Sequence, residues 1–176
     1  ERHMGMRDRV ESLAGLRRNS CRVEGMDDIR SAKWSKLVVN AADLMPWAIV
    51  NMPLNDAARF PGMLEVMRKA GYEAMQAALE DGAKIIPIIG MPPVTTNHPE
   101  RYVDQIFDEV LTTFSRPDTL VTSLQDWRKG RRAEVQEVNG WVVDTLRAHG
   151  RSSPMNERVV EIAFEIEAGK REAHPD

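Results

Sequence analysis

Apolar residues recur every three or four positions along nearly the whole chain, a spacing that predicts helices rather than strands. Val10, Leu13 and Leu16 mark a first helix over Arg9 to Arg18, and Asn19 to Gly25 reads as a brief extended piece. Asp27 or Asp28 stands where an N-cap is needed for the next helix, which carries Trp34, Leu37, Val38 and Ala41 as an apolar stripe. That helix is expected to reach Leu44 and to bend or stop there, because Pro46 disfavours a helical residue before it. The stretch from Pro46 to Asn55 shows no period. Pro61 suits the first turn of a helix reaching about Glu80, with Met63, Val66, Met67, Ala70, Ala74 and Ala78 on one face and Gly82 as its stop.

Lys84 to His98 reads as a loop that partly packs against the body. Helical spacing returns from Pro99 to Ser115 through Val103, Ile106, Phe107, Val110 and Leu111, and Arg116-Pro117-Asp118 breaks it. A short helix around Ser123 to Trp127 leads to a long one from about Arg131 to His149, carrying Val135, Val138, Val142 and Leu146 and ended by Gly150. Ser153-Pro154 opens a last helix through Val159, Val160, Ile162, Ala163 and Ile166. With no strand series and no internal repeat, the expected fold is all-α, a multi-helix bundle whose longest helices cross at its centre. Trp34, Trp47, Trp127 and Trp141 read as packing anchors, and Asn139-Gly140 as a tight helix crossing.

Composition narrows the function classes. A chain of 176 residues fits one domain with its own core. Glu1–Gly5 reads as the remnant of an appended tag, leaving 6–176 as the helical domain. The net charge of −3 gives no electrostatic reason to expect nucleic acid or an anionic membrane surface as a partner. No apolar stretch approaches the roughly 20 residues that span a bilayer. The lone Cys21 suits a reducing compartment, so a cytoplasmic location is expected. None of His3, His98, His149 or His174 pairs with a second ligand at a metal-binding spacing, so no metal site is expected.

Two runs carry candidate chemistry. In Lys33-Trp34-Ser35-Lys36-Leu37-Val38-Val39-Asn40, Lys36 and Asn40 are four residues apart and share a helix face. An ammonium and a carboxamide so placed suit a substrate carbonyl beside a carboxylate. The second run is Ser123-Leu124-Gln125-Asp126, continuing through Gly130-Arg131 and Glu134 to Asn139-Gly140. Each residue also has a plain structural reading. Lys36 fits a solvated helical lysine, Asn40 a bridge to neighbouring backbone, Thr122 an N-cap, and Glu134 an acidic helix start.

Together, in this order and separation, the runs resemble the C-terminal domain of the ketopantoate reductase (2-dehydropantoate 2-reductase) family, over about Val10 to Glu165. The resemblance implies the all-helical half of a 6-phosphogluconate dehydrogenase-like reductase, partnered by an N-terminal Rossmann domain, with the site in the cleft between them. It implies that Lys36 is the general acid toward a ketone reduced with NADPH. It implies further that Asn40 and Thr122 bind substrate and that Glu134 lies near the nicotinamide end of the cofactor. The implied partner is a small 2-oxo acid; the long apolar helices also allow a second copy of the chain, with the oligomeric state left open.

The chain departs from the family pattern at Leu44 and Pro46, at Thr119 and at Val121-Thr122-Ser123-Leu124. Leu44, Met45 and Trp47 make the implied pocket more apolar, which suits a branched or bulky 2-oxo acid other than ketopantoate. No Gly-x-Gly-x-x-Gly follows a strand, so the dinucleotide fingerprint is missing, and the expected whole is a Rossmann domain plus this one. The competing expectation is a stand-alone helical module that binds a small acid or a partner chain and catalyses nothing.

Overall fold

Helix α2, Ile29–Ile49, is the axis of the molecule, and its start follows from local chemistry. The Asp28 carboxylate accepts from the Ser31 amide (3.0 Å) and from the Ser31 hydroxyl (2.7 Å), satisfying a first-turn donor. In this computed structural model, residues 5–21, 23, 26–88 and 100–175 are described. All regular structure among them is helical. Around α2 stand α1 (Met6–Arg17), α3 (Leu54–Arg59), α4 (Met63–Glu80), α5 (Glu100–Glu109), α6 (Thr122–Arg128), α7 (Trp141–Ala148) and α8 (Pro154–Glu167). Two π-helical stretches, Val110–Phe114 and Gln136–Gly140, extend α5 and lead into α7.

The expected stop at Leu44 is not observed: α2 runs through Pro46 to Ile49. A proline inside a helix costs about 3 kcal/mol. Burying one large side chain returns about 1.5–3 kcal/mol, and Met45, Pro46, Trp47 and Ala48 are all buried here. Tertiary packing therefore outweighs the local break. The unassigned stretch beyond it contains α3, and the helix expected from Pro61 starts at Met63 behind Gly62, whose φ of 81° is left-handed.

α2 and α4 share the most extensive interface, and small residues make it close. Ala70, Gly71, Ala74, Ala77 and Ala78 of α4 are buried. A Cβ on Gly71 would lie 2.8 Å from Val103 Cγ1 and 3.2 Å from Ala42 Cβ. Gly71→Ala is expected to destabilise the chain by a net of about 1–2 kcal/mol in urea unfolding, because overpacking outweighs the helix-propensity gain. A neutral or stabilising result would show that Val103 moves aside freely.

The crossing expected at Asn139-Gly140 works differently. A Cβ on Gly140 would meet the tip of the Gln136 side chain at 2.7 Å, a flexible neighbour in the same π stretch tied only by a 3.3 Å bond to Asp144 on the surface. Asn139 is the structural residue. Its amide donates to the Ala41 carbonyl (3.0 Å) and to Asn156 Oδ1 (2.9 Å). Asn156 in turn donates to the Ala70 carbonyl (3.1 Å) and Glu73 Oε2 (2.7 Å), so four helical elements meet at two buried amides.

The helix expected over Arg131 to His149 begins later. Residues 131–133 are irregular and Glu134 lies in a bend. Glu167 of α8 holds this approach in place, accepting from the Ala133 amide (2.8 Å) and from Trp127 Nε1 (3.1 Å). A π turn holds more residues than an α turn, so positions beyond it rotate away from their α-helical expectation. Trp141 accordingly points outward, 53 % exposed, and is no packing anchor, whereas Trp34 and Trp47 are buried. α1 forms, starting at Met6 and not at the expected Arg9, yet Val10, Leu13 and Leu16 remain exposed. The extended piece expected after it is a turn over residues 18–20 and then passes partly outside the described residues. The loop expected over Lys84 to His98 is irregular through Ile88, and its remainder lies outside them as well.

Candidate functional site

Along α2 one face changes character from end to end. Near its start the face is open: Ile29, Lys33 and Lys36 are exposed, and Leu37 and Asn40 are half-buried. Further on the same face is covered, with Asp43 and Trp47 buried. At 3.6 residues per turn, Lys36, Asn40, Asp43 and Trp47 follow one another on this stripe. The open half is anchored from behind. Ser31 and Ser35 accept from the Lys84 and Ile86 amides (2.8 and 2.9 Å), and the Tyr102 hydroxyl donates to the Ser35 carbonyl (3.1 Å). Burial raises the Tyr102 phenol, so it stays a donor across the physiological range.

Asp43 is the group that reading the sequence missed. Its carboxyl is pushed up to about 7 by burial, partly offset by the charge of Lys36 and by the amide groups of Leu44 and of Asp43 itself. Oδ1 has no hydrogen-bond partner among the described residues, and neither does the indole Nε1 of Trp47. A signal was present. One carboxylate interrupts the apolar run Ala41-Ala42-Asp43-Leu44-Met45, seven residues from Lys36 and therefore on its face.

The structure thus brings Lys36 and Asn40 together on α2. Thr122 is the exposed first residue of α6, a helix that packs on α2. It is not the N-cap; that position is Val121. Glu134 is exposed in the bend before the second π stretch. Among the described residues, neither Thr122 nor Glu134 forms a hydrogen bond or ion pair with Lys36 or Asn40.

Two surface hollows are present among the described residues. One, of about 620 Å³, runs along the flank of α2 between Ile29, Lys33, Trp34 and Leu37 and the side chains of Glu137 and Trp141. Its floor is tied by Trp34 Nε1 donating to Asp81 (2.7 Å) and by the Arg30–Asp81 ion pair (2.7 Å). The other, of about 610 Å³, lies between α7 and α8. Lys36, Asn40, Thr122 and Glu134 line neither. Among the described residues no cluster of His, Cys, Asp or Glu could hold a metal ion. No helix among them is long and apolar enough to cross a membrane.

Residues 28–167 match the family model of the ketopantoate reductase PanE/ApbA C-terminal domain. The chain is similar to 2-dehydropantoate 2-reductase of Archaeoglobus fulgidus, 25% identical over 154 residues that make up 88% of this chain and 46% of that protein. It is similar also to the enzyme of that name from Shigella flexneri, 29% identical over 136 residues, 77% of this chain and 39% of the relative. It therefore spans less than half the length of these relatives. Among solved structures it resembles a PanE/ApbA family ketopantoate reductase from Ralstonia eutropha JMP134, with a TM-score of 0.73 and 26% identity, over 91% of this chain and 49% of that one. It shares its fold with D-mandelate dehydrogenase, with a TM-score of 0.75 at 13% identity, over 96% of this chain and 65% of that one.

Proposed function

Because the chain belongs to the ketopantoate reductase family, as its C-terminal domain, we propose that it is the substrate-side half of an NADPH-dependent 2-oxo acid reductase. One observation carries this reading: an exposed ammonium, Lys36, stands beside a carboxamide, Asn40, on the uncovered half of α2, within the residues matched to the family. When hydride adds to a ketone, negative charge grows on its oxygen. An ammonium within hydrogen-bond reach stabilises that charge and then transfers its proton there. We assign this general-acid step to Lys36. Asn40 supplies a neutral donor and acceptor to the substrate's polar end, and Thr122 adds a hydroxyl from α6. Glu134 is assigned to the edge that meets the cofactor. Leu44, half-buried one turn beyond Asn40, adds an apolar contact beside them suited to a branched 2-oxo acid.

The residues described here do not fit the dinucleotide's phosphates. The left-handed glycines Gly62, Gly82, Gly130, Gly150 and Gly169 stand singly, far apart along the chain, and form no phosphate cradle. Phosphate binding is accordingly assigned to a separate nucleotide-binding half, which the greater length of the relatives accommodates. The test is NADPH oxidation against a panel of branched 2-oxo acids, with this domain joined to that half. Lys36→Ala is expected to lower kcat/KM by about a hundredfold or more while leaving the unfolding midpoint in place. Turnover retained in that variant would remove Lys36 from the reaction.

A further inference from the structure

The proposed reaction leaves the buried Asp43 carboxyl unused, and its placement gives it a task. Asp43 is 6 % exposed, seven residues beyond Lys36 on the same face of α2, with Asn40 between them. Its Oδ1 is an unpartnered acceptor, and Trp47 Nε1, one turn on, is an unpartnered buried donor. A polar floor of this kind is costly in an apolar core and persists where something uses it.

We propose that Asp43 is a positioning residue for the Lys36 ammonium, drawing it along the α2 face toward Asn40, beside which a substrate carbonyl would lie. A lysine head on a four-carbon stem samples many directions in water, and a fixed opposite charge narrows them. The purpose of the pairing rests on the reductase reading; the pairing itself does not.

Charges on the neighbouring elements have other partners. On α4, Glu73 accepts from the first amides of α8, and Arg68 pairs with Asp104 of α5. On α6, Arg128 donates to Asn51, while on α8 Glu167 holds Trp127 and Ala133. Glu137 of the second π stretch faces the hollow lined by Ile29, Lys33 and Leu37, nearer the start of α2. None of these acts on the Asp43 carboxyl, and Lys36 is the only side-chain charge that does among the described residues.

Two measurements test the proposal. The first follows the Asp43 carboxyl carbon by NMR titration in this chain. Its midpoint, expected near 7, should move upward by about half a unit or more in Lys36→Met and stay in place in Lys33→Met. An unchanged midpoint in Lys36→Met overturns the pairing, whatever reaction the protein performs. The second uses the domain joined to its nucleotide-binding half. Asp43→Asn should lower kcat about tenfold with KM for the 2-oxo acid within about twofold, and should flatten the limb of the pH–kcat profile near neutrality. An unaltered kcat and profile overturn the positioning role. Should the parent protein reduce no 2-oxo acid, the reductase reading falls and the NMR titration alone decides the pairing.

Discussion

Asn156→Ala is expected to lower the unfolding free energy by about 3–4 kcal/mol, read from urea unfolding followed by tryptophan fluorescence. The side chain is fully buried and makes three hydrogen bonds: donation to Ala70 O and to Glu73 Oε2, and acceptance from Asn139 Nδ2. Alanine removes all three and leaves the Asn139 amide with one partner, Ala41 O, while Asn139 Oδ1 already has none. A buried polar group stripped of its partner costs about 1–3 kcal/mol, well above the net worth of the bond itself. Glu73 shares the load. Its carboxylate accepts from the Met155 and Asn156 amides at 2.9 and 2.8 Å, capping α8 where the Ser153 side chain makes no capping bond. Glu73→Gln should weaken this cap and lower stability by about 1 kcal/mol, less than Asn156→Ala does. A loss below about 1 kcal/mol for Asn156→Ala would show that solvent replaces the lost partners.

Asp43→Asn should have its effect through pH. A carboxyl raised in the folded chain from its usual 3.8 to about 7 favours folding while protonated. That contribution is fully present below about pH 4 and is lost as pH rises through 7. Three units at about 1.4 kcal/mol each bound the loss at roughly 4 kcal/mol. Asparagine keeps the shape of the protonated acid and does not ionise. The variant and the parent should therefore be equally stable near pH 4, and the variant should be the more stable by up to roughly 4 kcal/mol near pH 8. Parallel stability curves across that range would show that Asp43 ionises without penalty. A group that costs stability at neutral pH is the kind retained for function, which links this measurement to the Lys36 pairing.

How much of this was legible beforehand differs from element to element. The cores of α2, α4, α5, α6 and α8 followed from apolar spacing, and the cap at Asp27 or Asp28 from capping chemistry, because both act within one or two turns of chain; the structure selects Asp28. Pro46 misled for the opposite reason. Its local cost is real, but the burial of Met45, Trp47 and Ala48 around it is set by partners distant in sequence. The start of the helix expected at Arg131 was displaced by Glu167, 34 residues from Ala133, which no local pattern announces. The face of α2 that gathers Lys36 and Asn40 was readable from a spacing of four.

The chain's own order of residues determined the all-helical architecture, the family and the shared face of Lys36 and Asn40, since periodicity and motif spacing are properties of neighbouring residues. Only the tertiary structure decided which half of that face is covered. It turned Asp43 from one more acidic residue into a buried acid, exposed Trp141, and made Asn139 and Asn156 the joint of four elements. Burial and hydrogen-bond partners are assigned by segments far apart in the chain, so those outcomes exist only once the helices have packed.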